Sequence, residues 1–157
     1  MAKTALDAID RKILKYLIKN ARMPFLEIAR ECGISGAAIH QRVKKMEESG
    51  VIRGFRLEVD PTALGYNVSA MIGIRINDPS MNFEIVDGLR RIPEVVECHF
   101  VTGKYNIWTR VYCVDHEHLM HTILDHILRV PGVSETETFI SLSDSFGRQV
   151  SVRDLDQ

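Results

Sequence analysis

The stretch from Ser35 to Lys45 gathers residue types suited to reading a duplex nucleic acid. At about 100° per residue, Ile39, Val43 and Met46 fall on one apolar stripe of a helix. Ala37, Gln41 and Lys44 lie roughly opposite, flanked by Ala38, His40, Arg42 and Lys45. Small residues near the start allow close approach to a groove. Gln41 carries the amide pair that reads adenine, and Arg42, Lys44 and Lys45 can bind guanine edges or phosphates. Ser35 and the free amides of the first turn suit a phosphate. Glu47 and Glu48 restrict groove entry to the first two turns. A solvated amphipathic helix with ordinary surface lysines has the same pattern, so the helix alone leaves both readings open.

A second cluster is Thr102, Gly103, Lys104, Tyr105 and Asn106. Gly103 permits close backbone approach, Tyr105 offers a ring and a hydroxyl, and Asn106 both donates and accepts. Such a group could hold a small polar ligand at an interface, or form a plain hairpin turn. Ser134, Glu135, Thr136, Glu137 and Thr138 make an unusually polar strand start, either an exposed edge or the other wall of a pocket. His118, His121 and Asp125 share a helical face that could bind a metal. Leu119, Ile123 and Ile127 define the buried stripe there, so surface histidines are expected and neither metal nor cofactor is. The chain has no Gly-rich phosphate loop, no catalytic carboxylate pair at a motif spacing and no nucleophile elbow. That counts against an enzyme, although the fold expected below also hosts small isomerases and lyases.

The first sixty residues must position the candidate recognition helix. Leu6, Ile9, Ile13, Tyr16 and Leu17 recur at helical spacing, with Asp7 and Asp10 in the first turn. Pro24 suits the first position of a second helix, whose inner face is Ile28, Ala29 and Cys32. Gly33 can close it in the left-handed conformation, and Ser35 caps a third helix that ends at Gly50. A break this short is the helix–turn–helix spacing. That turn and the regional charge favour DNA over a solvated face. A winged helix used only for protein contacts is the rival. The alternation from Val51 to Val59 predicts a strand after the helix, the wing. On it Arg53 and Arg56 could touch the sugar–phosphate backbone or simply keep an edge soluble. Asp60-Pro61 and Gly65 mark a turn between modules.

The remainder repeats itself. Ile92-Pro93-Glu94-Val95 reappears as Val130-Pro131-Gly132-Val133, 38 residues later, each time between an amphipathic helix and a strand. The order is strand 67–77, helix 82–92, strands 95–102 and 106–114, helix 116–130, strand 133–143, a ferredoxin-like β-α-β-β-α-β arrangement. Ala70, Ile72, Ile74 and Ile76 should face the helices. Met71, Val111 and Phe139 should make the other face apolar enough to bury against a second subunit. A homodimer follows, and its two-fold axis suits a DNA partner with two half-sites. The fold class is thus α+β. A DNA-binding domain spans 1–60, a hinge 61–66, a ferredoxin-like domain 67–144 and a tail 145–157.

Composition sets the compartment. The chain has 157 residues, 45% apolar and 26% charged, as soluble globular proteins do. Residues 1–60 hold twelve Lys and Arg against eight Asp and Glu, a net of +4. Residues 61–157 hold eight against thirteen, a net of −5. The basic part can meet a polyanion and the acidic part should not. The longest nearly apolar stretch, Val68 to Ile76, is far short of the roughly 20 residues of a membrane helix. No signal peptide is visible, and three widely spaced cysteines read as reduced thiols. A cytoplasmic protein without a membrane partner is expected.

Several blocks together resemble a known family. They are Leu6-Asp7 with Asp10 and Ile13-Leu14; Ala21-Arg22; Glu27-Ile28-Ala29; Ile34-Ser35 with Ile39, Arg42-Val43 and Met46-Glu47; and Gly50-Val51-Ile52. Further on come Asp60-Pro61 with Leu64-Gly65, Pro93-Glu94-Val95, Thr102-Gly103 with Tyr105, and Pro131-Gly132-Val133 with Thr136 and Thr138. In order and spacing the chain from about Ala5 to Leu142 resembles the Lrp/AsnC ("feast/famine") family of bacterial and archaeal transcription regulators. Its asparagine-responsive AsnC branch looks closest, from Ala38-Ile39-His40, Arg42-Val43-Lys44-Lys45-Met46, Leu64-Gly65-Tyr66 and the Ser134 to Thr138 stretch. The resemblance implies a winged helix–turn–helix domain and a RAM-type effector domain. It also implies dimers assembling to octamers or larger discs, with amino acids bound between dimers. On this chain, Ser35 to Lys45 would read the major groove. Thr102 to Asn106 and Ser134 to Thr138, from neighbouring subunits, would form the effector pocket. Many members of the family carry acidic residues where Lys104 and Asn106 stand. Glu135 or Glu137 is then expected to meet an effector's ammonium.

Overall fold

The computed structural model of the protein describes residues 5–153. Packing divides the chain into two units, one running to Glu58 together with the stretch from Phe146, the other spanning Val59–Ser145.

The first unit is built on three helices, α1 (Ala8–Lys19), α2 (Phe25–Cys32) and α3 (Gly36–Glu48). Ile13, Leu17, Ile28, Ala29, Ile39, Val43 and Met46 form its core. Asp7 caps α1 in a reciprocal box with Asp10: each carboxylate accepts the other residue's backbone N–H, at 2.8 and 3.2 Å. Pro24 stands one position earlier than the sequence places it. At ψ 135° it is the cap residue rather than the first residue of α2. Gly33, at φ +68°, closes α2 in the left-handed region that side chains avoid. Ile34 N–H then bonds back to the Ala29 carbonyl, which turns the chain within three residues into the Ser35 cap of α3.

The strand expected over 51–59 does not form in the single chain. Ile52 N–H bonds the Met46 carbonyl and its side chain packs on the helical core, but residues 53–60 run without regular secondary structure. Strand geometry needs a laterally paired backbone, and no described segment of this chain supplies one. Phe55, Leu57 and Val59 are consequently exposed.

The second unit opens with a turn at Asp60, whose Oδ1 accepts from the Thr62 amide and hydroxyl at 2.9 and 2.8 Å. Its elements are β1 (Val68–Ile76), α4 (Asn82–Arg90), β2 (Val95–Phe100), β3 (Ile107–Cys113), α5 (His116–His121) and β4 (Val133–Ile140). The sheet order is β2-β3-β1-β4 and every neighbouring pair is antiparallel. One face carries the core. Val68, Ala70, Ile72 and Ile74 of β1 and Ile107, Val111 and Cys113 of β3 are buried with Ile85, Leu89, Leu119 and Ile127 of the helical layer. Val111 therefore belongs to the helix-facing side and not to the open face. Its ladder partner Ala70 lies on that side too, because cross-strand partners share a face. The open face presents Met71, Trp108, Arg110, Tyr112, Glu137 and Phe139.

The helix expected over 116–130 is not uniform. After α5 the ladder widens to a π turn over Thr122–His126 and tightens to a 3-10 turn over Ile127–Arg129. Buried Thr122 donates its hydroxyl to the His118 carbonyl at 2.8 Å. That side-chain bond competes with the regular ladder where the pitch changes.

Candidate nucleic-acid interface and ligand loop

Helix α3 has three anchors: its apolar stripe in the core, its cap and one ion-pair cluster. The Ser35 hydroxyl accepts from Ala38 N–H at 3.2 Å. Its oxygen thus serves the helix, and one of the first-turn amides expected to be free for a phosphate is taken. Ala37, His40, Gln41, Lys44 and Lys45 are exposed, and Ala38 is half-buried. His40 packs edge-on against Phe25, ring centroids 4.6 Å apart, which fixes its orientation. Lys44 Nζ lies 3.8 Å from Glu48, one turn on, a loose surface pair that costs little to break. Arg53 is exposed on the irregular stretch after the helix.

Arg42 differs from its neighbours. Its Nη1 donates to Asp7 Oδ2 at 2.6 Å and Asp10 Oδ1 at 2.7 Å, so it points back at the start of α1. Those bonds hold the guanidinium protonated above its ordinary range, Asp10 contributing most. The Asp10 backbone N–H and then Arg42 hold the Asp7 carboxyl below the usual carboxylate range. The sequence reading placed Arg42 with the base and phosphate readers. In the structure it pairs instead with the two carboxylates at the start of α1. No local spacing signals this contact, which joins residues 35 and 32 positions apart.

The second cluster forms on the open face of the sheet. Tyr105 folds over Gly73: a Cβ there would stand 2.6 Å from the ring, so only glycine fits beneath it. The Tyr105 hydroxyl and the Lys104 ammonium both bond Glu137 Oε2, and Lys104 lies 5.0 Å from the Tyr105 ring centroid. Glu137 is held ionised below the ordinary glutamate range, by Lys104 first and then Tyr105. The Lys104 pKa is pushed up, chiefly by that same bond to Glu137. Tyr105, Trp108 and Phe139 continue as a row of rings with centroids 5.6 and 5.4 Å apart. On the other side of the Gly73–Glu137 pair, away from Phe139, Arg75 pairs with Glu135 at 3.2 Å.

The loop and β4 therefore also meet within one chain. They meet only on alternate residues. Glu135 and Glu137 pair with Arg75 and Gly73 on the open face, while Thr136 and Thr138 pair with Ile74 and Ile72 on the helix side. Thr136 and Thr138 thus face away from Tyr105. Ser134 is exposed beside the bulge at Arg75 and Ile76. Asn106 also departs from its expected role: its Oδ1 accepts from Ile76 N–H at 3.2 Å and its own N–H bonds the Ile74 carbonyl at 3.0 Å. It ties the loop to the end of β1. Gly103, at φ +114°, is demanded by backbone conformation, since nothing lies within 4 Å of where its Cβ would be. Thr102 is exposed beside it. The charge expected from Glu137 is present but already matched by Lys104.

His118, His121 and Asp125 do not converge. His118 accepts from Val114 N–H at 3.2 Å through Nδ1 and meets Glu94 at 3.1 Å through Nε2, while His121 pairs with Asp125 at 2.8 Å. Among the described residues no three potential ligands are placed to hold a metal ion. Nor is any described helix long and apolar enough to cross a membrane.

Residues 6–53 match the winged helix-turn-helix DNA-binding family and residues 69–150 the Lrp/AsnC ligand binding domain. This chain belongs to the Lrp/AsnC family. Regulatory protein AsnC of Escherichia coli is 35% identical over 150 residues, covering 96% of this chain and 99% of that protein. The solved structure of Escherichia coli AsnC superposes with a TM-score of 0.85, over 94% of this chain and 99% of that one. HTH-type transcriptional regulator FL11 of Pyrococcus horikoshii is 36% identical over 140 residues, 89% of this chain and 91% of that protein. A feast or famine regulatory protein of Mycobacterium tuberculosis, solved with L-methionine, is 29% identical with a TM-score of 0.87, over 95% of this chain and all of that one. As an Lrp/AsnC member the chain is a DNA-binding transcriptional regulator, not an enzyme.

Proposed function

We propose that this Lrp/AsnC protein is a sequence-specific cytoplasmic regulator of amino-acid metabolism, tuned by a small amino acid bound between dimers. The single observation that supports the DNA-reading part is the exposure of Gln41, Lys44 and Lys45 together on a helix whose opposite stripe is buried. Ala37 and Ala38 let that face approach a groove, and Gln41 reads a base edge. Lys44, Lys45, His40 and Arg53 meet the backbone, with Ser35 at the helix head.

For the effector, Thr102, Gly103, Lys104, Tyr105 and Asn106 form one wall, and Ser134, Glu135 and Glu137 of the adjoining strand supply polar partners. An amino acid brings one ammonium and one carboxylate. The Lys104–Glu137 pair offers the complementary charges, provided that ligand binding parts them. The open sheet face, with Met71, Trp108, Tyr112 and Phe139, suits burial against a second copy, and such dimers would assemble further to an octamer. Related regulators solved with L-methionine make an amino acid the natural ligand class. A ligand at a subunit boundary acts through its unequal affinity for two assemblies.

The deciding experiment pairs two assays. Gel shifts on genomic fragments at two salt concentrations should give retarded bands that weaken as salt rises. A thermal-shift screen of the twenty amino acids should raise the melting point for a subset. Tyr105→Ala should abolish that shift while circular dichroism stays unchanged. No retarded fragment at low salt overturns the DNA reading, and an undiminished shift in Tyr105→Ala overturns the pocket.

A further inference from the structure

We propose that Arg42 is the positioning residue of the recognition helix: clamped by Asp7 and Asp10, it fixes the rotation of α3 and makes no direct contact with DNA. The proposal rests on the reading that α3 enters the groove.

The clamp is closed. Each of the two carboxylates spends one oxygen on the helix cap and the other on Arg42. Asp7 Oδ1 and Asp10 Oδ2 hold the first turn of α1 together, while Asp7 Oδ2 and Asp10 Oδ1 hold the guanidinium. Arg11 adds a bond to the Leu6 carbonyl at 2.6 Å, so the same turn is tied from its other side. None of the four oxygens remains without a partner, and the geometry of one end dictates that of the other.

Such a device does what the core cannot. Ile39, Val43 and Met46 hold α3 against α1 and α2 by burial, a non-directional force that tolerates small rotations and slides. An arginine bonded to two carboxylates has a direction and a length. Gln41, Lys44 and Lys45 all project to one side of it on the same helix, so pinning it sets where all three point. Its side chain is 31% exposed, that of Asp10 16% and that of Asp7 52%, against 76% and 66% for Lys44 and Glu48. The clamp is partly shielded from water and counter-ions, whereas the lysine pair is open to both.

Charge points the same way. Were Arg42 to turn Nη1 to a phosphate, it would break two short charge-assisted bonds and leave two carboxylates unmatched near a polyanion. Removing an acid from a DNA-binding domain ordinarily strengthens binding through the field. The clamp reverses that sign: losing Asp10 should weaken specific binding.

The test uses the full chain and a duplex selected by the wild-type protein from a randomised library. Arg42→Gln, Arg42→Lys, Asp10→Asn and Arg42→Gln with Asp10→Asn are compared well below their melting temperatures. Arg42→Gln and Asp10→Asn should each lower affinity for the selected duplex by about 3- to 10-fold, with affinity for a scrambled duplex and the salt slope unchanged. The double variant should be no weaker than the weaker single, since both remove one interaction. Arg42→Lys, which keeps the charge on a shorter, more flexible stem, should fall between wild type and Arg42→Gln. If instead Arg42→Gln flattens the log–log salt slope by about 0.9 and Asp10→Asn binds more tightly, Arg42 is a phosphate contact and the proposal fails. If melting points fall while specific affinity holds, the clamp serves stability alone and the proposal fails again. Should Arg42→Gln not fold, the direction of change in Asp10→Asn still decides. A wild-type chain that selects no duplex instead overturns the DNA reading itself.

Discussion

Tyr105 lies directly over Gly73, its ring occupying the volume in which any other residue's Cβ would stand. That single contact seats the loop on the sheet. Through the Tyr105 hydroxyl it also sets the position of Glu137, the ladder partner of Gly73 on β4. Gly73→Ala should therefore unseat Tyr105 without opening the helix-facing core. The expected result is loss of any amino-acid-induced thermal shift with a near-normal far-UV spectrum. Retained ligand response in Gly73→Ala would show that the ring's seat is irrelevant to binding.

The salt dependence of DNA binding should separate the two adjacent lysines. Among the described residues Lys45 has no carboxylate within a salt-bridge distance, while Lys44 has Glu48 at 3.8 Å. Lys45→Ala should lower affinity on all duplexes and reduce the log–log salt slope by about 0.9. Lys44→Ala should do the same to a smaller extent, because Glu48 already offsets part of its charge. Equal, unchanged slopes in both variants would exclude phosphate contacts from this face.

Asp7 should give the first unit a defined acid limb. Its pKa is lowered on folding, so the carboxylate stabilises the native state. That contribution is complete above the ordinary carboxylate value near 3.8 and is lost as pH falls through the depressed folded value. Asp7→Ala should lower the melting temperature at neutral pH through loss of a cap worth about 1 kcal/mol in comparable helices. The gap between mutant and wild-type curves should narrow as pH falls below the ordinary carboxylate value. Parallel curves down to the lowest pH would mean that the Asp7 charge is inert.

His121 titrates in the opposite sense. Asp125, chiefly through its hydrogen bond, raises its pKa above the ordinary 6.5, so while Asp125 is ionised the pair's contribution is full below that value and fades as pH rises through the folded value. Asp125→Asn should move the His121 imidazole titration down by NMR. An unmoved titration would show that the 2.8 Å contact is not populated in solution.

The elements that were legible in the sequence are those set by local rules. Gly33 and Ser35 marked the turn because a left-handed residue followed by a hydroxyl cap has few alternatives. The repeat of Ile92-Pro93 and Val130-Pro131 marked the two α–β joints for the same reason. The helical stripe of Ile39, Val43 and Met46 was readable from period alone. What escaped depends on partners distant in sequence. Alternation over 51–59 is a strand pattern, yet a strand exists only where another backbone lies alongside. The grouping of Thr136 and Thr138 with Glu135 and Glu137 did not take into account that adjacency along β4 means opposite faces across it. Arg42 read as a base reader because its angle on the helix places it near the exposed side; the acids that capture it lie on another helix.

The parity of β4 has a consequence for its tolerance of insertions and deletions. A one-residue slip of β4 would exchange the two sides of the strand, carrying the glutamates toward Ile72 and Ile74 and the threonines out beneath Tyr105. A one-codon loss that causes such a slip would thus bury acids in an oily layer and strip the loop of its anchor at once. Loss of two codons keeps the alternation and shifts the anchor by only one step. Length variation along this strand should accordingly come in even steps.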